Sequence, residues 1–82
     1  MESIEETLDK LGFRHRYDTF FTYWKEIDDY EIIFSKHISN TDWVCTLVSH
    51  DTDHSDEITI NYNCTTEWAL NIVKLLEEAP NE

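Results

Sequence analysis

Phe20-Phe21-Thr22-Tyr23-Trp24-Lys25-Glu26-Ile27-Asp28-Asp29-Tyr30-Glu31-Ile32-Ile33-Phe34-Ser35-Lys36-His37 is the stretch that decides the fold. Aromatic and β-branched residues crowd both sides of a pair of aspartates, and such side chains favour strands. The pattern predicts two strands, Phe20–Ile27 and Tyr30–His37, joined by Asp28-Asp29 as a tight hairpin turn. Aromatic rings fall at both odd and even positions of the first strand, so they occupy both faces of any sheet it joins. Helices cover only one of those faces. Either Trp24 with Phe20 or Phe21 with Tyr23 is therefore left as the candidate anchor of an interface.

The same reading extends downstream. Ser39-Asn40-Thr41-Asp42 makes a looser connection, Trp43–Ser49 and Glu57–Tyr62 read as further strands, and the polar run His50–Asp56 links them. Three or four strands fit; Phe13–Tyr17 is a candidate for an added edge segment, weakened by Arg14, His15 and Arg16 in succession.

Both flanks are helical. Ser3 and Glu6 have capping-box spacing, and Ile4, Leu8 and Leu11 form one apolar stripe before Gly12, which predicts a helix over 3 to 11 with a glycine cap. Its far side carries Glu2, Glu5, Glu6 and Asp9. Thr65 or Thr66 caps a second helix whose apolar face is Trp68, Ala69, Ile72, Val73 and Leu76, ending near Glu78 before Pro80. The expected fold is α+β: an N-terminal helix, a three- or four-stranded antiparallel meander and a C-terminal helix, with both helices on one face of the sheet.

Eighty-two residues make a single domain with a small core, yet 40% of them are hydrophobic, too many for a disordered acidic tail. No apolar run reaches the ~18 residues that span a bilayer, and the acidic start is unlike a signal peptide, so the expected location is the cytoplasm. Cys45 and Cys64 lie among β-forming residues and read as buried free thiols.

Charge bears on partners. Eighteen acidic residues against six basic ones give a net charge of -12, which repels nucleic acid and anionic membrane and draws in cationic protein surfaces. The acidic residues group as Glu2/Glu5/Glu6/Asp9, Glu26/Asp28/Asp29/Glu31, Asp51/Asp53/Asp56/Glu57 and Glu77/Glu78/Glu82. The bland reading is a solvating shell. The sharper one is a negative stripe imitating a nucleic-acid backbone: carboxylates two residues apart on an extended strand, such as Asp51 and Asp53, stand ~6.7 Å apart, close to two phosphate steps.

Candidate chemistry is thin. Asp51–Ile58 opens like an EF-hand but has Asp56 where glycine belongs and Tyr62 where a bidentate Glu belongs, so it reads as a hairpin loop. His50 and His54 flank it with no third ligand placed by spacing, and His15 and His37 are isolated. There is no nucleophile elbow or phosphate loop, and the expectation is a protein that is not an enzyme and uses no metal or cofactor.

The layout, with Leu11-Gly12-Phe13 closing the first helix before a meander and a last helix, resembles that of many small phage-encoded proteins. Acidic members of that class include anti-CRISPR proteins and DNA mimics, so the resemblance implies inhibition of a host defence system by binding, in the host cytoplasm. The expected partner is a basic, nucleic-acid-binding host protein, with no direct contact to nucleic acid or membrane and a homodimer as a further possibility. The candidate partner-binding residues are Asp28, Asp29, Glu31, Asp51, Asp53, Asp56, Glu57 and Trp24. The alternative is a structural or assembly protein that binds a partner or itself through an aromatic sheet face.

Overall fold

A computed structural model of the chain describes residues 3–50 and 55–78. Helix α1 (Ile4–Lys10) is followed by strands β1 (Arg14–Tyr17), β2 (Phe20–Ile27), β3 (Tyr30–His37), β4 (Val44–His50) and β5 (Ser55–Asn61), and by helix α2 (Thr66–Glu78). All neighbouring strands pair antiparallel in the order β1-β2-β3-β4-β5, a plain meander in an α+β fold.

The sheet has five strands rather than the expected three or four. Residues 14–17 do form an edge strand, and the succession of charged residues is no obstacle, because alternation sends Arg14 and Arg16 to one face while His15 and Tyr17 pair opposite Tyr23 and Phe21 on the other. The β2–β3 hairpin follows the sequence reading residue for residue, with Ile27 opposite Tyr30 across the two-residue turn. Asp28 holds φ 55° there, a left-handed conformation that aspartate tolerates better than most residues. β4 and β5 each sit a residue or two from their expected bounds, so Asp56 belongs to a strand and not to the loop. A bulge between Cys45 and Thr46 offsets their register.

Local chemistry fixes the helix ends. The Ser3 hydroxyl accepts from the Glu6 N–H while the Glu6 carboxylate accepts from the Ser3 N–H, closing the capping box. At the other end Gly12, at φ 88°, donates to Asp9, and Phe13 donates to Leu8, both at 3.1 Å. This is a Schellman cap, and its apolar contact is supplied by Leu8 and Phe13, both in the core. Thr65 caps α2, its hydroxyl accepting from the Trp68 N–H at 3.1 Å.

Both helices lie on one face. The core joins Ile4 and Leu8 of α1 and Ala69 and Val73 of α2 to Tyr23, Ile27, Ile32, Phe34 and Cys45, which share one side of the sheet, with Phe13, Trp43 and Cys64 closing the gaps. Lys25 ties the two helix C-termini together: its ammonium donates to the Leu11 carbonyl at 2.7 Å and pairs with Glu77 at 3.1 Å. A cation at that spot complements the negative end of α1.

Candidate partner-binding surface

The opposite face of the sheet is bare of helices, and the register sorts its residues into rows about 4.8 Å apart from strand to strand. At the hairpin end Glu26 stands directly opposite Glu31, Glu31 opposite Val48, and Val48 opposite Glu57. Three carboxylates therefore share one row on β2, β3 and β5, next to the exposed turn of Asp28 and Asp29. The next row runs Arg14, Trp24, Ile33, Thr46 and Thr59, and the one beyond it Arg16, Thr22, Ser35 and Val44. Phe20, 48% exposed, meets His37 edge to face at the far end, with ring centroids 5.0 Å apart.

This arrangement answers which aromatic pair is left uncovered. Tyr23 and Phe21 turn to the helices, and Trp24 and Phe20 line the bare face. A groove of about 460 Å³ crosses that face between Arg16, Asp18 and Phe20 at one end and Glu57 at the other, past Thr22, Trp24, Ile33, Ser35 and Thr46. A second depression of about 200 Å³, lined by Gly12, Arg14, Trp24, Lys25 and Glu26, meets it at Trp24.

Of the candidate residues, Trp24, Glu31 and Glu57 come together on this face. Asp28 and Asp29 adjoin them at the turn, and Asp56, opposite Ser49, points to the helix side of β5. Asp51 and Asp53 lie outside the described residues, as does His54, so the EF-hand-like loop has no described geometry at its start. Among the described residues no three His, Cys, Asp or Glu side chains gather as a metal-binding group. No helix among them is long and apolar enough to cross a membrane. Glu26 is the residue whose place in the row was not singled out from sequence; the two-residue turn alone puts it opposite Glu31.

The covered face is chemically closed. Tyr23 is buried and shares a hydrogen bond with the Tyr17 hydroxyl; burial first, then that bond and the nearby Tyr17, Asp9 and Glu5, push its phenol well above the ordinary range. Burial raises the Cys45 thiol to about 12, helped by Cys64, and raises Cys64 to about 11, with a backbone hydrogen bond from Cys45 acting the other way. Both cysteines are free thiols and buried, a state that disfavours the reactive thiolate. On the same side of the sheet the Lys36 ammonium lies 5.3 Å from the Phe21 ring centroid and 5.5 Å from that of Trp43.

Comparison with protein-family models, with curated proteins and with solved structures returned no match to this chain.

Proposed function

We propose that the protein works by binding, as an acidic ligand of a positively charged, nucleic-acid-binding protein that it inhibits by occupying the surface meant for phosphates. The observation that carries this reading is the row Glu26, Glu31 and Glu57 on the bare sheet face beside Asp28 and Asp29. Like charges set directly opposite across strands destabilise a sheet, and a cationic partner relieves that repulsion on contact. A surface evolved to release counterions from phosphates responds to such a row with the same steep salt dependence. The resemblance to small phage-encoded inhibitors supports a host defence component as the target, and the host cytoplasm as the place of encounter.

The test is capture from lysate with the purified protein, with duplex DNA as competitor. The expected result is recovery of nucleic-acid-binding proteins that are released between about 50 and 200 mM salt, displaced by the DNA and lost with the D28N/D29N/E31Q variant. Asparagine is chosen at position 28 because it accepts the left-handed backbone. Partners held equally by the variant and indifferent to salt would overturn the electrostatic reading.

A second reading is favoured by the apolar content of the same face, where Trp24, Ile33 and Phe20 have no helix over them: the face serves assembly, with a second copy or another protein. Light scattering across a concentration series tests self-association; a monomer throughout, unchanged by Phe20→Ser, removes the homodimer.

A further inference from the structure

Trp24 is the one tryptophan outside the core and its packed fringe; Trp43 and Trp68 both belong there. Trp24 lines both depressions of the bare face, the smaller one together with Arg14, Lys25 and Glu26. On the covered side the fold already seats a cation over aromatic rings, the Lys36 ammonium over Phe21 and Trp43. Among the described residues no cation lies over Trp24, although Arg14 is its cross-strand neighbour. The nearest carboxylate along the same strand and on the same face is Glu26, two residues on. Neither Glu26 nor Glu57 makes an ion pair with a described residue, whereas Arg16 is already held by Asp18 at 3.2 Å.

Resting on the reading that this face meets a cationic protein, we infer that the depression beside Trp24 receives an arginine side chain of that partner, its guanidinium stacked on the indole and hydrogen-bonded to the Glu26 carboxylate. The chemistry selects arginine over lysine. A guanidinium is planar, weakly hydrated and able to stack while its edge donates to a carboxylate. An ammonium is a compact, strongly hydrated point charge with no flat face to lay on the indole. The groove, at about 460 Å³, leaves room beside the indole for the residues flanking the arginine.

Calorimetric titration with oligo-arginine and oligo-lysine peptides of equal length, at one fixed salt concentration, tests this on the unaltered protein. The arginine peptide is expected to bind at least ~5-fold tighter and to shift the Trp24 indole N–H resonance more than those of Trp43 and Trp68. Trp24→Leu should weaken the arginine peptide more than the lysine peptide and close the ~5-fold gap between them. Equal affinities for the native chain, or an arginine preference that survives Trp24→Leu, would overturn the inference while leaving a cation-binding face in place. Binding of neither peptide would remove the cation-binding reading and the inference together.

Discussion

Ile32 and Ile33 are adjacent and chemically identical, as Tyr23 and Trp24 are adjacent and nearly alike in bulk, yet in each pair the first residue is fully buried and the second is not. The two faces of the sheet differ by what lies on them. One is closed by α1 and α2 into a core; the other carries Phe20, Trp24, Ile33 and Val44, with Glu26, Glu31 and Glu57 in a row at its hairpin end. Similar side chains therefore meet different surroundings according to the parity of their position, buried in the core on one face and left partly exposed on the other.

Mutations that pit the faces against each other test this most strongly. Phe34→Ala, which empties the centre of the core, should lower stability by ~3–5 kcal/mol, whereas Ile33→Ala, one residue away on the bare face, should cost less than ~2 kcal/mol; urea denaturation of both variants gives the comparison. Equal losses would mean that the bare face is a second core.

Alkaline pH should act through the two thiols of the covered face. Cys45 and Cys64 hold their protons to about 12 and about 11 in the folded chain, while an unfolded thiol ionises near 8.5. Below that value both states bind the protons and the thiols' contribution is fully present. Above it the unfolded state loses protons that the folded state keeps, so stability falls as pH rises toward 11 and 12. The urea midpoint should decline across this window, and less steeply in a Cys45→Ala/Cys64→Ala variant.

The attachments of the helices come next. Gly12→Ala forces a β-carbon into a backbone at φ 88° and should cost ~1–2 kcal/mol, though the space itself is open, with only the Lys25 ammonium 3.8 Å from the added carbon. Thr65→Ala removes the α2 cap and should cost ~1 kcal/mol. Thermal melts followed by circular dichroism measure both. The smallest change carries the opposite sign: Glu26→Gln removes one of two carboxylates set at opposite positions of β2 and β3 and should raise stability by ~0.2–1 kcal/mol while weakening the arginine peptide. A loss in both would place Glu26 in the structural scaffold rather than the binding surface.

Much of this was legible in the sequence, for identifiable reasons. The hairpin at 20–37 was readable to the residue because two aspartates interrupt an otherwise strand-forming run, and both termini of α1 were readable because capping box and glycine cap are local chemistry. β1 was harder, since Arg14, His15 and Arg16 look uniformly polar until their neighbour assigns them to alternate faces. The choice between Trp24/Phe20 and Tyr23/Phe21 was beyond reach, because period two separates the faces without saying which one the helices take. The Glu26–Glu31 pairing follows from the turn alone, but adding Glu57 requires the pairings of β3 with β4 and β4 with β5. Those registers are set by packing and by the bulge at Cys45/Thr46, and no local signal carries them.

Because each strand pairs only with its neighbours in sequence, the sheet closes through short loops, the kind of topology that folds fast. The docking of α2 is long-range by contrast: Lys25 reaches Glu77, 52 residues further along, and Phe34 meets Trp68 edge to face. In kinetic terms the meander zips and α2 arrives by a long-range closure, so amide exchange should find α2 opening at a lower free energy than β2 and β3. The last helix is then a latch, and the energy of its docking sets how long the hydrophobic side of the sheet stays out of water.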